Sequence, residues 1–573
     1  MSKALLICPR RSDTFLRSIL HRRIKQLNEQ LAPDNITFRA PLVLEHGGVT
    51  AAIFNPNETV KTHGASFALG QMISPSEDWW RPGAEVPEGT YALFRTGEGV
   101  SELVTDTLAS RTIWYAQTED IFLASTSQRA LLPFLRSFEP HAPALSWMIS
   151  AGHLGPDNVW DARLSALEGD ARLRLDHATW QLTAERTPAV FEPADLPYEA
   201  HKARLKEALR ETLGGLRLDY GRWALPLSGG YDSRAILTML GEREGLKTLT
   251  WGVRSALEDK RSDAYVAKAL SRHFGVAHQY FETDLSEEPI EAIFNRFLVA
   301  GEGRVDHISG YMDGFGIWKQ LFEGGVSGIL RGDESFGWTQ VDTAWDVRRT
   351  TGLHLLSDFR NLEPHTLPAQ PLAETLEQRP GESLATWRDR LYHTCRVPVI
   401  LAALSDLKTP YVELFNPLIV GKLVEQVRTL PDELRTSKQL FRDIIVEEGP
   451  AIDFAKREAT RDRGDILKEP HIVHYLQDEL GSAQARRVLS ADFLRFATQN
   501  VKISDPSESS KRFLGKEQLK GALNRYLPKS LRKAGKSALQ KPAMDANRAA
   551  FRAFLVVKMY DMLEADATLF KST

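Results

Sequence analysis

The segment that most constrains this fold joins an apolar run, a turn with two glycines and a helical pattern. The apolar run covers 223–227, the turn is Ser228-Gly229-Gly230, and the helical pattern covers 234–240. Strand, turn and helix in this order are typical of parallel α/β sheets. Glycines let a backbone approach a phosphate closely, and a helix start offers free N–H groups and the positive end of its dipole. The segment therefore predicts an anion cradle at the end of a strand.

Two polar residues follow the turn. Asp232 and Ser233 stand at the predicted helix start, where a carboxylate is able to hold Mg²⁺ against bound phosphates. The spacing differs from the GxxxxGK[ST] loop of kinases and GTPases. The sequence therefore predicts a phosphate and metal site of another kind, formed by Leu227, Ser228, Gly229, Gly230, Asp232 and Ser233.

A second acidic motif lies about a hundred residues later. It follows a predicted helix at 312–322 and a predicted strand at 326–330, and it comprises Arg331, Gly332, Asp333, Glu334 and Gly337. Parallel strands present their carboxyl ends at one edge of a sheet. We therefore expect Asp232 and Asp333 to hold one or two Mg²⁺ ions together.

Length, charge and cysteine content exclude several classes of protein. A chain of 573 residues is too long for one core and favours two domains. The net charge of −3 argues against a nucleic-acid partner. The two cysteines, Cys8 and Cys395, form no CxxC pair, and no apolar run approaches the roughly 20 residues of a membrane span. The start of the chain lacks the pattern of a signal peptide, so we expect a cytoplasmic protein without a membrane span.

The pattern of short elements divides the chain. Up to about residue 190, turns separate strand-like runs at 4–8, 49–54, 90–94, 102–105, 112–116 and 121–124. After 193–195 a helical pattern covers 198–216, and a second parallel strand is predicted at 246–251, ending at Trp251 and Gly252. We therefore predict a β-rich domain at 1–190 and an α/β domain with a parallel sheet at 195–573.

These motifs together resemble the asparagine synthetase-like superfamily, whose Ser-Gly-Gly-x-Asp-Ser loop serves enzymes that split ATP into AMP and pyrophosphate. The motif around Asp333 and the run 437–442, with Lys438, are similar to further family patterns. The resemblance implies an Ntn-glutaminase-like β-sandwich domain (α+β) followed by a parallel-sheet ATP-pyrophosphatase synthetase domain, with ATP and Mg²⁺ as cofactors. It also implies site roles beyond the phosphate loop: metal on Asp232 and Asp333, nucleotide contacts from Trp251, Gly252, Arg331 and Gly332, and catalytic roles for Glu334 and Lys456.

The chain departs from this family at position 2. A glutaminase of the family needs a cysteine there as N-terminal nucleophile, whereas this chain has Ser2, and Cys8 lies inside an apolar run. A serine is in principle able to act with its own amine as base. We favour the other interpretation, a catalytically inactive glutaminase-like domain.

Three members of the superfamily compete. Ser2 argues against a glutamine-dependent asparagine synthetase, and the second acidic motif lacks the tyrosine-bearing spacer of β-lactam synthetases. The runs Ser228–Arg234 and Arg331–Gly337 look like those of lasso peptide cyclases (macrolactam synthetases), which we favour. This resemblance implies a precursor peptide as substrate, with a leader peptidase and a leader-recognition protein as partners. Residues 511–541 hold ten Lys or Arg and a single acid, Glu517, which indicates a solvated face or a surface for an acidic partner.

Overall fold

The structure is a computed structural model, and it describes residues 3–11, 14–283, 286–460, 466–504 and 541–570, with backbone alone at 14–18. Ser2, and all of the basic segment 511–541 except Lys541, lie outside the described residues.

The first region is built from twelve strands in two antiparallel sheets. Their orders are β10-β8-β9-β1-β3-β2 and β12-β11-β7-β6-β5-β4. The strands are β1 Lys3–Pro9, β2 Leu42–His46, β3 Val49–Phe54, β4 Lys61–His63, β5 Ser66–Ile73, β6 Glu88–Gly97, β7 Val100–Thr105, β8 Trp114–Gln117, β9 Ile121–Ser125, β10 Ser165–Ala166, β11 Ala171–Asp176 and β12 Gln181–Arg186.

Alternation along β1 shows how the layers are formed. Ala4 and Leu6 lie in the core between the two sheets, whereas Leu5 and Ile7 belong to the core on the other face of the sheet. That other face is covered by helices, α1 Thr14–Leu31, α2 Gln128–Leu135 and α3 Ala142–Ala151. The predicted α+β sandwich is thereby confirmed.

The second region contains a parallel sheet of five strands in the order β15-β14-β13-β16-β17. The strands are β13 Trp223–Pro226, β14 Lys247–Gly252, β15 Ala277–Glu282, β16 Gly328–Leu330 and β17 Glu413–Phe415. Both faces are buried, because Ala224 lies in one hydrophobic core and its neighbour Leu225 in another. The predicted parallel-sheet α/β class is confirmed.

Helices cover both faces of this sheet. The helices of this region up to residue 448 are α4 Tyr198–Gly214, α5 Asp232–Met239, α6 Asp263–Phe274, α7 Ile290–Gly301, α8 Gly316–Glu323, α9 Ala344–Thr351, α10 Leu384–Leu391, α11 Ala402–Asp406, α12 Gly421–Arg428, α13 Asp432–Arg435 and α14 Gln439–Glu448. A π-helix, Tyr392–Leu401, joins α10 to α11. Later helices are Pro470–Leu480, Ala483–Val488, Ala491–Gln499 and Ala546–Thr568.

One predicted helix begins later than expected. The pattern at 312–322 becomes α8, Gly316–Glu323, because the carboxylate of Asp313 accepts hydrogen bonds from the N–H groups of Phe315 (3.2 Å) and Ile317 (3.0 Å). Asp313 thus holds the backbone in a turn ahead of the helix.

The helix Ala546–Thr568, called the central helix below, connects the two regions. Fifteen of its 23 residues are buried, and it packs against α2, α3 and the three helices between 470 and 499. Its Asp566 accepts two hydrogen bonds from Arg129 of α2, at 2.7 and 3.0 Å, and its Arg552 donates to Asp306 at 2.7 Å. The two regions therefore share a core. Among the helices that the structure describes, none has the length and apolar character needed to cross a membrane.

Candidate functional site

The order of the parallel sheet places a crevice between two neighbouring strands. The chain runs outward from β13 to β14 and β15, then returns to the other side of β13 as β16. Ligands of open α/β sheets bind at the carboxyl ends of the strands where the direction reverses in this way. Asp232 follows β13 and Asp333 follows β16, so both stand at this point.

A cavity of about 560 Å³ opens there, within the size range of small-molecule sites. Seven of the residues predicted from the sequence line it: Ser228, Asp232, Ser233, Trp251, Arg331, Gly332 and Asp333. The lining also includes His307, Tyr311, Trp318, Arg396 and Lys408. Leu227, Gly229, Gly230, Gly252, Glu334 and Lys456 do not belong to this lining, whose members are all drawn from the described residues.

The loop after β13 is held by its own serines. The Oγ of Ser233 accepts a hydrogen bond from the N–H of Ser228 at 3.0 Å, and the Oγ of Ser228 accepts one from the N–H of Gly230 at 3.2 Å. Leu227 is paired at both backbone groups, through its N–H to Leu249 and through its carbonyl to the Thr250 hydroxyl. No side chain caps the start of α5, which leaves the helix start as a site for an anion.

Gly229 and Gly252 allow another segment of the chain to pack closely against their backbone. A Cβ at Gly229 would lie 2.4 Å from the Cβ of Ala455, and one at Gly252 would lie 2.3 Å from the Ala459 carbonyl oxygen. The N–H of Gly229 donates to Asp263 at 2.9 Å, while its carbonyl accepts from Ala455 at 3.0 Å. The segment 455–459 therefore rests directly on the phosphate loop and on the end of β14.

Lys438 binds two acids of the site at once. Its Nζ lies 2.9 Å from each carboxylate oxygen of Asp232 and 3.0 Å from Oε1 of Glu334. Enclosure by protein raises the pKa of both carboxyl groups, and Lys438 opposes that rise. Burial lowers the pKa of Lys438, but the two carboxylates outweigh it and raise the pKa above its ordinary value. Lys438 is thus a charged link between the two acidic motifs.

The backbone at this lysine is unusual. Ser437 and Lys438 both adopt the left-handed region, with φ of 56° and 57°, which costs roughly 1–2 kcal/mol per residue. The N–H of Ser437 donates to the Trp338 carbonyl at 2.6 Å, so the acidic loop and the ion pairs hold this conformation. Strain of this kind concentrates at functional sites.

Glu334 lies behind the cavity. Its Oε2 accepts a hydrogen bond from the N–H of Phe336 at 2.6 Å, and its Oε1 contacts Lys438. The side chain is 6% exposed. Glu334 is therefore placed to hold Lys438, and through it Asp232.

Asp333 and Arg331 pair within the second motif. Nη2 of Arg331 lies 2.8 Å from Oδ1 of Asp333, and Oδ2 of Asp333 is buried without a hydrogen-bond partner among the described residues. Gly332 lies between them, and a Cβ there would stand 3.1 Å from the Cβ of Asp232. The backbones of the two motifs are therefore in close contact at Gly332 and Asp232.

A metal ion at this site would take its protein ligands from Asp232 and Asp333. Among the described residues, no three His, Cys, Asp or Glu side chains converge to hold a metal. Mg²⁺ that is bound with phosphates commonly takes one or two carboxylates from the protein. The unpaired Oδ2 of Asp333 fits this role, whereas Asp232 would share its oxygens with Lys438.

Trp251 contributes an aromatic wall. Its ring packs edge-on against Trp318, with centroids 5.7 Å apart. The carbonyl of the following Gly252 accepts a hydrogen bond from the N–H of Thr283 at 2.9 Å. Trp251 is therefore in place to contact a base or a side chain in the cavity, and the adenine role of both residues stays a prediction.

Lys456 lies on the segment that covers the phosphate loop. Its N–H donates to the Arg261 carbonyl at 2.8 Å, and its side chain is exposed. Two residues earlier, Phe454 stacks on Tyr231 with centroids 4.0 Å apart. Lys456 therefore stands beside the loop, outside the Asp232–Lys438–Glu334 cluster, and its catalytic role stays a prediction.

Three cations of the site have roles that sequence reasoning did not identify. Lys438 belongs to a run already similar to a family pattern, so its presence had a signal even though its contacts had none. Lys408 and Arg396 lie on elements between the motifs, and neither has a recognisable spacing to them.

Comparison with known proteins gives no family. No family model matches the chain, and no curated protein matches it. Two solved structures are similar over part of the chain: the allosteric regulatory enzyme of purine biosynthesis and the glutamine phosphoribosylpyrophosphate amidotransferase from B. subtilis complexed with ADP and GMP. Each is 9% identical with a TM-score of 0.21 and covers 49% of this chain, and the match spans 80% of the first protein and 81% of the second. Similarities this distant say nothing about the chemistry of this chain.

Proposed function

We propose that this protein is an ATP-dependent, AMP-forming amide synthetase that closes a macrolactam in a precursor peptide, as a lasso peptide cyclase does. One observation carries the proposal. Asp232 and Asp333, from two separate motifs, stand at the ends of the adjacent strands β13 and β16 and line one cavity with the serines of the phosphate loop.

The nucleotide and its metal are assigned to this edge. Ser228, Gly229, Gly230 and Ser233 would surround the phosphates, with Asp232 and Asp333 on Mg²⁺. The metal supplies neutralisation of phosphate charge, which lets an anionic carboxylate approach. Lys456, on the segment that rests against the loop, is the proposed contact to the α-phosphate, where a cation contributes about 3–4 kcal/mol to charge stabilisation.

The reaction has two steps. A side-chain carboxylate oxygen of an Asp or Glu in the peptide attacks the α-phosphorus of ATP, the bond to pyrophosphate breaks, and a mixed anhydride with AMP forms. The N-terminal amine of the same peptide then attacks the activated carbonyl carbon, loses a proton and expels AMP. Holding both ends of one peptide together lowers the barrier by about 7–11 kcal/mol.

The walls of the cavity suit a peptide. Trp251, Tyr311 and Trp318 give it apolar surface, and Gly310 leaves room beside them. Such walls exclude water, which would otherwise hydrolyse the anhydride.

The remaining assignments follow from this function. The N-terminal sandwich is proposed to be an inactive glutaminase-like domain. The partners are a precursor peptide, a leader peptidase and a leader-recognition protein, with no nucleic acid, and the protein acts in the cytoplasm.

ATP–pyrophosphate exchange tests the proposal. The substrates are free aspartate and a synthetic copy of a short peptide encoded beside the gene. We expect exchange with the peptide alone. Exchange with free aspartate instead would assign the protein to asparagine synthesis, and exchange under neither condition would overturn adenylation altogether.

A matched pair of variants tests whether ATP–pyrophosphate exchange takes place at this edge of the sheet. Asp232→Ala is expected to abolish exchange, because it removes the metal ligand that follows β13. Asp219→Ala changes an exposed carboxylate in the turn before the same strand and is expected to keep the wild-type rate. Full activity in Asp232→Ala would rule out this edge of the sheet as the nucleotide site.

A further inference from the structure

Lys408 is a buried cation in the cavity wall without an acidic partner among the described residues. It is 8% exposed, and its Nζ donates to the Leu404 carbonyl at 2.7 Å. The ammonium lies 5.6 Å from the ring centre of Tyr311 and 5.5 Å from that of Trp318. Asp333 and Asp406 act on the ammonium without forming an ion pair with it, so a carbonyl and two aromatic faces are its direct contacts and leave the charge incompletely compensated.

Arg396 is a second cation of the same cavity lining, and it is half-buried. It projects from the π-helix Tyr392–Leu401, and its guanidinium carbon lies 4.4 Å from the centre of the Trp338 ring. In the part of the chain that the structure describes, it forms no ion pair with an Asp or Glu. π-Helical turns are rare and occur frequently at functional sites.

Apart from Arg234, which is held by the carbonyls of Ile452 and Asp453 and by the Phe454 ring, the other buried Lys and Arg side chains of the described residues pair with a carboxylate. Lys3 with Glu302, Arg111 with Glu413 and Arg129 with Asp566 are examples in which both side chains are less than 10% exposed. A buried charge without such a partner is costly. Two unpaired cations in one cavity lining therefore indicate that an anionic ligand completes the site.

The surroundings favour a carboxylate over a phosphate. The phosphate loop follows β13, whereas Lys408 lies near the aromatic rings of Tyr311 and Trp318, outside that loop. Asp333 is near enough to act electrostatically on both cations. An anion bound between them would thus be close to the metal ligand.

We propose that Lys408 and Arg396 form a subsite that binds the side-chain carboxylate of the acyl donor and orients it for attack on the α-phosphorus. The inference rests on the proposed function and names the residues that select its acidic substrate. Burial, and next the neighbouring Arg331, hold the pKa of Lys408 well below its ordinary value, and the charge of a bound carboxylate would raise it.

Ligand-detected NMR with two small probes tests the subsite. The probes are the N-methylamides of N-acetyl-aspartate and N-acetyl-asparagine, which differ only in one side-chain charge. We expect the wild-type protein to bind the acid at least tenfold more tightly than the amide, in the range of a charge-assisted hydrogen bond. Equal binding of the two probes would overturn the proposal.

Variants test whether Lys408 and Arg396 cause the preference for the acid over the amide. Lys408→Met keeps the length of the side chain without its charge, and it is expected to reduce the acid-to-amide ratio below threefold, as is Arg396→Met. Lys408→Arg should retain the preference. Lys319→Met, an exposed position on α8 next to Trp318, should leave the ratio unchanged, and thermal unfolding of each variant checks that it is folded.

The outcomes separate this inference from the proposed function. An unchanged ratio in Lys408→Met, with weaker binding of an ATP analogue, would assign the cations to phosphate and overturn the subsite while the synthetase activity stands. Absence of pyrophosphate exchange in the wild-type protein overturns the function by a separate measurement. The probe ratio would still decide whether the two cations bind a carboxylate.

Discussion

The N-terminal sandwich and the edge of the parallel sheet both bury charged groups, and they differ in how far those charges are satisfied. In the sandwich, Arg95 donates four hydrogen bonds, to three backbone carbonyls and to Glu102. Asp106 accepts four, from residues between 91 and 110. The fold itself therefore supplies the partners of Arg95 and Asp106, although Oε1 of Glu102 is buried without a hydrogen bond among the described residues, with Nε of Arg174 at 3.8 Å.

At the sheet edge, several charged groups lack a full set of partners. Lys438 is divided between two carboxylates, Asp333 keeps a buried oxygen without a described partner, and Lys408 contacts a single carbonyl. Complete networks specify a fold, whereas an unsatisfied buried group calls for an explanation, such as a bound ligand or ion. The comparison therefore predicts that changes in the sandwich alter stability, and that changes at the sheet edge alter activity.

The largest effect is expected from Arg95→Met in the sandwich. It removes four hydrogen bonds and leaves the buried Glu102 with only the Gly83 N–H and the more distant Arg174, which lowers the free energy of unfolding by about 3–5 kcal/mol. Urea unfolding measures the change. Arg81→Met removes a pair with Asp78 at 4.0 Å that is exposed at both ends, and it should change the free energy by less than about 0.5 kcal/mol. Equal effects of the two variants would contradict the comparison.

The next effect concerns the two lysines beside the phosphate loop. Lys456→Met is expected to slow pyrophosphate exchange about 10²–10³-fold, the loss of about 2.7–4 kcal/mol of charge stabilisation. Its thermal midpoint should not change, because the side chain is exposed. Lys438→Met should lower both exchange and the midpoint, since it leaves Asp232 and Glu334 without their shared cation. A wild-type exchange rate in Lys456→Met would transfer the catalytic role to Lys438.

A smaller loss of stability is expected when acid protonates His153, which lies between the two regions. Its Nδ1 accepts from the Gly155 N–H and its Nε2 contacts the Gly352 carbonyl, both at 3.0 Å, so the neutral ring is fully paired. Burial lowers the pKa of His153 to about 4. Its contribution is complete above the unfolded pKa of about 6.5 and is lost as the pH falls towards 4, by about 2 kcal/mol at pH 5. Urea unfolding at pH 7 and pH 5 should show a smaller acid loss in His153→Gln, and an equal loss would contradict this account.

No effect is expected from Ser2→Ala. If the sandwich is an inactive glutaminase-like domain, amide formation by this variant stays within twofold of the wild type. Product formation with the peptide and ATP measures it. A clear loss of amide formation would show that the N-terminal serine takes part in chemistry and would remove the distinction between the two regions.

Much of this fold was predictable from local patterns. The strand-like runs at 4–8 and 49–54 became β1 and β3, and the apolar runs before Asp232 and before Arg331 indicated buried parallel strands. The expectation that Asp232 and Asp333 would stand at one edge followed from those strands alone. The start of α8 was missed, although Asp313 is a recognisable turn residue.

The rest of the site depends on packing that no local pattern encodes. Lys438 contacts Asp232 although 206 residues separate them along the chain. The local sequence does not predict the left-handed conformation of Lys438. The π-helix that presents Arg396 contains Pro398 and has no distinctive periodicity. Gly229 and Gly252 were expected to admit a ligand, yet the close neighbours of both are in the segment 455–459.

The central helix Ala546–Thr568 has a consequence for how the molecule is made. It is synthesised after the seventeen strands that the structure describes, yet its buried residues fill the core that both regions share. During translation, the apolar surfaces of α2, α3 and the helices near 480 stay exposed until it is made. Exposed surfaces of that kind promote aggregation and attract chaperones, so yield in a recombinant host should depend on chaperone supply.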